Sequence, residues 1–190
     1  YYEGTSQGNF SYIIGGDLLQ DGNNASDLMY IYAKGSDVPF VPFLNKDNSV
    51  KYTVAQQQAA YDQFVANSPY LRNHVGQYAE RNSALYPWYN RVDMRFLQDF
   101  YLKIGGTKHT LEFSWDVINL PNLLSRNWGI YDIYTVNNPL TLKSVTGGSP
   151  TYTLAEYNSA LVTQPFVKTV SSTTTAPNTW GMQLGLRYMF

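Results

Sequence analysis

The chain has 190 residues, and its 13 basic and 14 acidic side chains give a formal net charge of -1, without the basic run that a nucleic-acid-binding surface requires. It contains no cysteine, which excludes disulfide scaffolds, thiolate metal sites and thiol nucleophiles. No apolar run approaches the roughly 18 residues of a membrane-spanning helix, so that class is excluded too.

The first segment, residues 1–14, is predicted to be the end of a β-strand. Its opening, YYEGTSQGNF, has no charged start, apolar core or cleavage site, so it is not a signal peptide. We therefore expect the sequence to begin partway along a larger structure. Aromatic residues make up 16% of the chain, including 17 tyrosines, which suits a membrane interface; a Tyr-rich soluble β protein is the alternative.

A long connection, residues 15–87, begins with a candidate calcium loop. Its candidate ligands are Asp17, Asp21, Asn23 and Asp27. The pattern resembles loops in which acidic oxygens converge on Ca²⁺ around a sharp glycine turn, here at Gly22. However, Leu19 stands where an oxygen ligand belongs, and Asp27 falls one residue short of the last ligand position. An Asx-rich surface turn is the alternative that we favour.

A helix is predicted over residues 54–67, within the same connection, where it would brace the loop. Thr53 can cap its N-terminus, and Pro69 is expected to end it. The side chains predicted to pack are Val54, Tyr61, Phe64 and Val65.

Two long strands, residues 91–104 and 109–119, are predicted from strict alternation of apolar and polar side chains. Only Gln98 interrupts the apolar face of the first strand. A four-residue turn from Gly105 to Lys108 is expected to join the strands. Closing that turn with Ile104 and His109 sets the predicted register: Leu102 opposite Leu111, Phe100 opposite Phe113 and Phe96 opposite Val117.

The length of the first strand favours a membrane over a soluble sandwich. Residues 91–104 would extend over roughly 46 Å, whereas soluble strands usually have about 5 to 6 residues. Tilted by about 45°, such a strand reaches roughly 33 Å, enough to cross the hydrocarbon layer. Its second face carries charged side chains that suit a water-filled or plugged lumen. Gln98 is a polar residue on the predicted lipid side and weakens this interpretation.

A second long connection, residues 120–178, contains a predicted hairpin that turns at Gly147 and Gly148. Its stretch TVSSTTTAPNT has low complexity and is predicted to be mobile. The last strand, residues 180–190, alternates again, with one apolar face formed by Trp180, Met182, Leu184, Leu186, Tyr188 and Phe190.

The lengths of the connections predict a topology. Outer-membrane barrels combine short periplasmic turns with long extracellular loops, which places residues 15–87 and 120–178 outside the cell if Phe190 ends the last strand on the periplasmic side. The smallest such barrels need about eight strands, because an open edge leaves backbone groups unpaired in lipid. We therefore predict an all-β fold, the C-terminal strands of a large antiparallel transmembrane β-barrel.

Three passages are distinctive in combination: WGMQLGLRYMF at the end, YAERNSALYPWYNRVDMRFLQDF before the turn, and DVINLPNLLSRNWG after it. Together they resemble the C-terminal end of the barrel in TonB-dependent outer-membrane receptors of the Oar-like group, of the Bacteroidetes type. The resemblance spans nearly the whole chain, although the Asn- and Gly-rich loops are not specific.

The resemblance implies a barrel of about 22 strands, plugged by an upstream domain and energised through the TonB complex to move a substrate across the outer membrane. It also implies that the terminal aromatic residues, Phe190 and Tyr188, form part of the signal that the barrel-assembly machinery reads. The plug and the TonB-contacting segment are not among these residues, so transport by them alone is not expected.

Catalytic constellations are not evident in the sequence, and we expect no enzyme. His74 and His109 have no visible metal or triad partner, which favours surface roles. The charged residues of the long strands are predicted to form lumen salt bridges that support the plug, rather than paired catalytic carboxylates. They are Arg91, Asp93, Arg95, Asp99, Lys103, Glu112 and Asp116.

The functional hypothesis is therefore a part of a TonB-dependent transporter in the bacterial outer membrane. Its expected partners are outer-membrane lipid, the upstream plug and barrel strands, the TonB complex and the barrel-assembly machinery, with no nucleic acid and no cofactor apart from the candidate calcium. Two alternatives stay open: a barrel whose surface loops dock a lipoprotein or another partner for assembly or secretion, and a soluble β-sandwich that binds glycans.

Overall fold

The computed structural model describes residues 1–6, 8–168 and 179–190. β-Strands account for 45% of the chain and helices for little, so the predicted all-β class is confirmed. The strands of the described residues form separate sheets of two or three strands and do not close into a barrel. Among the same residues, the longest helix has 13 residues, and no helix has the length and apolar character needed to cross a membrane.

The structure contains three short helices and sixteen strands in the described residues. The helices are α1 (Val54–Ala66), α2 (Pro69–Asn73) and α3 (Leu120–Leu124), with a 3₁₀ turn at Gly35–Asp37. The strands are β1 (Tyr2–Ser6), β2 (Asn9–Phe10), β3 (Ile14–Gly15), β4 (Phe43–Leu44), β5 (Val50–Tyr52), β6 (Ala84–Leu85), β7 (Trp88–Val92), β8 (Met94–Ile104), β9 (Thr107–Ile118), β10 (Asp132–Tyr134), β11 (Leu140–Thr146), β12 (Ser149–Leu154), β13 (Glu156–Tyr157), β14 (Ala160–Leu161), β15 (Phe166–Lys168) and β16 (Gly181–Met189).

The chain divides into two compact units. The strand unit comprises the described residues within 1–7, 87–132 and 168–190, and the loop unit comprises residues 8–86 and 133–167. The predicted stub at residues 1–14 is therefore not one strand. Only β1 belongs to the strand unit, where it pairs antiparallel with β7, whereas β2 and β3 belong to the loop unit.

In the strand unit, β8, β9 and β16 form an antiparallel sheet with β9 in the centre. The predicted strand at residues 91–104 is interrupted at Asp93, which separates β7 from β8. The predicted strand at 109–119 begins earlier, at Thr107, and the terminal strand at 180–190 is found over Gly181–Met189.

The predicted register between the two long strands is wrong by two residues. Phe100 pairs with Leu111 and Phe96 with Trp115, because the turn contains two residues and is closed by Ile104 and Thr107. Gly105 and Gly106 have φ of 58° and 88°, the left-handed conformation that a tight two-residue hairpin needs. A shift of two keeps every side chain on its face, so the alternation pattern could not distinguish the two registers.

The loop unit packs the two long connections into one hydrophobic core. β3 pairs in parallel with β11, which brings Ile14 beside Leu140, and both side chains are buried. The predicted hairpin is confirmed, because β11 and β12 meet at Gly147 and Gly148. Nearly all of the predicted mobile stretch TVSSTTTAPNT, residues 169–178, lies outside the described residues.

Helix α1 begins after Thr53, as predicted, and ends at Ala66. Thr53 and Gln56 form a reciprocal capping box that satisfies backbone N–H groups at the helix start. Pro69 does not simply end this helix; it occupies the first turn of α2, where its missing N–H costs nothing. Three of the predicted packing residues, Tyr61, Phe64 and Val65, are buried, and Val54 is partly buried.

Candidate functional site

The sheet of β8, β9 and β16 has one apolar face. The register aligns its side chains in rows across the three strands. The rows are Met94, Val117 and Met182; Phe96, Trp115 and Leu184; Gln98, Phe113 and Leu186; and Phe100, Leu111 and Tyr188. Leu102 and Ile104 extend this face along β8.

Much of the apolar face is exposed. The exposed fractions are 59% for Phe100, 64% for Leu184 and 71% for Leu186. Large contiguous apolar surfaces are rarely left exposed on soluble monomers, so this face is suited to contact with lipid or another macromolecule. Gln98 lies on this face, and its Nε2 donates a hydrogen bond of 3.0 Å to the backbone oxygen of Asp99.

The opposite face of the same sheet carries the charged side chains, together with Leu97, Tyr101 and Ile118. Arg95 forms an ion pair with Asp116 across β8 and β9, with Nε 2.9 Å from Oδ1. Two rows further along this face, Glu112 lies between Asp99 on β8 and Arg187 on β16. Five of the charged residues predicted to share one face do share it: Arg95, Asp99, Lys103, Glu112 and Asp116. Arg91 and Asp93 lie outside this sheet, and the contact of the shared face with water stays a prediction.

Asp93 connects three elements of the strand unit. Its carboxylate accepts two hydrogen bonds from the Arg91 guanidinium, and Oδ1 also accepts one of 2.8 Å from the backbone N–H of Asn119. Asn119 has a left-handed φ of 55° between the end of β9 and the start of α3. Sequence reasoning assigned Asp93 to lumen salt bridges and missed its role at the strand junction.

The terminal aromatic residues lie at one end of the sheet. Tyr188 hydrogen-bonds through its hydroxyl to Nδ1 of His109, and its ring stacks on Phe190 with centroids 5.7 Å apart. His109 thus has a partner that the sequence did not reveal, because β9 and β16 are far apart in the chain. His74 lies in the loop unit, where Nδ1 is 2.8 Å from the backbone oxygen of Tyr70.

The candidate calcium ligands use their oxygens to hold the loop itself. Asp17 accepts hydrogen bonds from the backbone N–H groups of Asp21 and Gly22, at 2.9 and 2.8 Å. Asn23 accepts one from Ala25, and Asp27 accepts from Leu18 and Leu19. Asp21 accepts one from Asn23, and only this contact and that between Asn23 and Ala25 have the two-residue spacing of an Asx turn. Within residues 1–6, 8–168 and 179–190, no group of three or more His, Asp or Glu side chains is placed to hold a metal ion.

A small cavity in the strand unit is a second candidate site. It lies beside β7 and the segment that follows α3, and two exposed indoles, Trp88 and Trp128, contribute to its wall. The sequence contained no periodic signal for it, because its residues come from separate parts of the chain.

Comparisons of the chain with protein-family models, curated proteins and solved structures find no match. The chemistry of the sheet and of the cavity is therefore the basis for inferring function. A sheet with one apolar face and one charged face can separate a hydrocarbon phase from an aqueous phase.

Proposed function

We propose that the chain is the C-terminal part of a TonB-dependent transporter in the bacterial outer membrane, in which β8, β9 and β16 cross the bilayer as neighbouring barrel strands. The observation that carries this proposal is the opposite chemical character of the two faces of the sheet. The exposed apolar face would contact acyl chains, and the ionic face would line an aqueous or plugged lumen.

The strand lengths support a membrane crossing. β8 has 11 residues and β9 has 12, whereas soluble strands usually have about 5 to 6. At about 3.3 Å per residue and a tilt of about 45°, 11 residues reach roughly 26 Å, close to the apolar band of about 25 Å on outer-membrane barrels. β16, with 9 residues, falls within the range for such strands.

Aromatic side chains at both ends of β16 also support the proposal. Trp180 is 46% exposed at one end, and Tyr188 and Phe190 are 57% and 87% exposed at the other. Rings with an apolar body and a polar edge prefer the two membrane–water interfaces, where barrels carry aromatic girdles. Phe190 and Tyr188 would also belong to the assembly signal, as the resemblance implies.

The loop unit would lie on the extracellular side in this arrangement. It has its own hydrophobic core, with Tyr61, Phe64 and Leu140 buried, so it would be a structured gate or docking surface rather than a pair of flexible loops. The plug, the remaining strands and the TonB complex follow from the resemblance, and the transported substrate is not specified by these residues.

The orientation can be tested with single cysteines, because the chain has none of its own. Ser149→Cys lies at the hairpin turn of the loop unit, and Thr107→Cys follows the short turn between β8 and β9. In intact cells that produce the full protein, a bulky impermeant maleimide should label position 149 and spare position 107 until the outer membrane is opened. Equal labelling of both positions in intact cells, or recovery of the protein in the detergent-free aqueous fraction, would contradict the proposal.

The transport step needs a separate test. A strain that lacks the protein is grown on a panel of single carbon, nitrogen or iron sources to find a growth defect. The full protein should restore growth, and a version that lacks the TonB-contacting segment should not. Full restoration by that version would remove the TonB mechanism while leaving the membrane topology in place.

A further inference from the structure

A cavity of about 340 Å³ lies within the strand unit, beside the start of β7 and the segment that follows α3. Two indoles and four polar or charged residues contribute to its lining: Trp88, Asn90, Asn127, Trp128, Asp132 and Lys168. Its volume is at the lower end of the range for small-molecule sites, which is about 300 to 1,000 Å³. It therefore has room for a ligand of one or two rings.

The first indole is held in place by a polar network. Trp88 is 61% exposed, and its Nε1 donates a hydrogen bond of 2.9 Å to Oδ1 of Asn90. The hydroxyl of Tyr2 donates a second bond of 2.7 Å to the same oxygen. Because Oδ1 accepts both bonds, any further hydrogen bond from the Asn90 amide must be donated by Nδ2.

The second indole stands on a rigid turn. Trp128 is 57% exposed, but its backbone is fixed on both sides. Its N–H donates to the Ser125 oxygen at 2.9 Å, and its carbonyl accepts from Nδ2 of Asn122 at 3.0 Å. The next carbonyl, that of Gly129, accepts from Nδ2 of Asn119 at 2.7 Å. The ring is thus presented on a preorganised backbone, which lowers the entropy cost of binding.

The polar groups of the cavity include both donors and acceptors. Lys168 donates a hydrogen bond of 3.1 Å from Nζ to the backbone oxygen of Asn127, which places an ammonium group at the wall. Asp132 supplies a carboxylate. Desolvation by burial raises the pKa of Asp132, and the nearby charge of Lys168 opposes that rise.

This combination discriminates among ligand classes. An ammonium group at the wall disfavours a cationic ligand, and a carboxylate beside it disfavours an anionic one. A neutral ring with hydroxyls that both donate and accept fits the Asn, Asp and Lys groups, and its C–H face can pack on an exposed indole. We propose that this cavity binds a pyranose sugar, either free or as the headgroup of a glycolipid.

The proposal does not depend on transport or on the membrane crossing, because a sugar site at this cavity could be present in either setting. The competing explanation for Trp88 and Trp128 is a membrane-interface girdle, which would need no sugar. A sugar site predicts that soluble sugars bind the protein at this cavity, whereas a membrane-interface girdle predicts no such binding.

The test uses the full protein in an amine-oxide detergent, since glycoside detergents would compete. Saturation-transfer NMR is recorded with glucose, galactose, mannose, N-acetylglucosamine and maltose. We expect saturation of the ring C–H protons of at least one sugar. Trp128→Ala should weaken that binding about tenfold or more, Trp128→Phe should restore part of it, and Asp132→Asn should weaken it without unfolding the protein.

The matched control is Trp180→Ala, which removes an exposed indole outside the cavity and should leave sugar binding unchanged. A second arm distinguishes the source of the sugar: binding to vesicles that contain a glycolipid, in competition with the free sugar, would indicate a lipid headgroup. Absence of saturation from all five sugars, equal binding by Trp128→Ala, or equal response to sugar-free phospholipid vesicles would overturn the proposal.

Discussion

Arg91 and Asp93 form a two-point ion pair, with Nε 2.9 Å from Oδ1 and Nη2 2.8 Å from Oδ2. The same carboxylate holds the N–H of Asn119, and the backbone of Asp93 exchanges two hydrogen bonds with Tyr1. Asp93 therefore connects β7 and the end of β9 through its side chain, and the residue that precedes β1 through its backbone.

Replacing Asp93 with alanine should destabilise the strand unit by about 2 to 4 kcal/mol, because it leaves the Arg91 charge and the Asn119 N–H without their acceptor. Asp93→Asn should cost less, since an amide oxygen can still accept. The measurement is thermal unfolding of the protein in detergent. Asp99→Ala, on the exposed polar face of β8, is the control and should change stability by less than about 1 kcal/mol. Equal effects of the two alanine variants would contradict the junction role.

Gly129→Ala should be more damaging than Gly148→Ala. Both glycines have positive φ, 61° and 80°, so both substitutions carry backbone strain. Only at Gly129 would the new Cβ overlap Asn119 Oδ1, whereas at Gly148 it meets open space. We expect a cost of about 1 kcal/mol at Gly148 and at least about 2 kcal/mol at Gly129. Tryptophan fluorescence should change only in Gly129→Ala, because Trp128 is the neighbour of Gly129. Identical unfolding temperatures for the two variants would contradict the predicted overlap with Asn119.

Gln57 is a buried polar residue that links parts of the loop unit. Its Nε2 donates to the Val41 oxygen at 2.8 Å, and its Oε1 accepts from the Leu154 N–H at 2.9 Å. Gln57→Leu keeps the volume but leaves the buried N–H of Leu154 and the partly buried carbonyl of Val41 without this partner, so we expect a loss of about 2 to 4 kcal/mol. Gln63→Leu, on the exposed side of the same helix, is the control. The free energy of unfolding of each variant is measured by chemical denaturation. A decrease below about 1 kcal/mol in Gln57→Leu would contradict the prediction, because it would mean that water replaces the lost hydrogen bonds.

Alkaline pH should destabilise the loop unit through its buried tyrosines. Burial raises the pKa of Tyr12 from 10.0 to about 12, and it raises the pKa values of Tyr61 and Tyr152 as well. A raised folded-state pKa contributes stability that is fully present below pH 10 and is lost as the pH rises through about 12. Near-ultraviolet tyrosinate absorbance should therefore rise in two phases, the exposed tyrosines first. In Tyr12→Phe the later phase should shrink; if it is unchanged, Tyr12 does not ionise there.

The parts of the structure that follow local rules could be predicted from sequence. The residue type of Thr53 and its place before the helical segment predict the helix cap, and alternation alone predicts the faces of β8 and β9. The register was missed by two residues, since a shift of two keeps the same faces. The exact turn depended on the left-handed conformation of Gly105 and Gly106.

Contacts between residues far apart in the sequence could not be predicted from local patterns. Ile14 and Leu140 meet in a parallel pair, and nothing in either neighbourhood specifies the partner. The two connections were therefore expected to be separate loops, although they share one core. The cavity lined by Trp88 and Lys168 could not be predicted for the same reason, because these residues come from strands distant in sequence.

The most direct test of the proposed membrane crossing compares two neighbouring residues of β16 whose side chains lie on opposite faces of the sheet. Leu184→Cys and Gln183→Cys, each labelled with the same small fluorophore in the full protein reconstituted into vesicles, present one label on each face. We expect brominated lipids to quench the label at position 184 and aqueous iodide to quench the label at position 183. Iodide quenching at 184 together with lipid quenching at 183, or no lipid quenching at either position, would contradict the proposed membrane crossing.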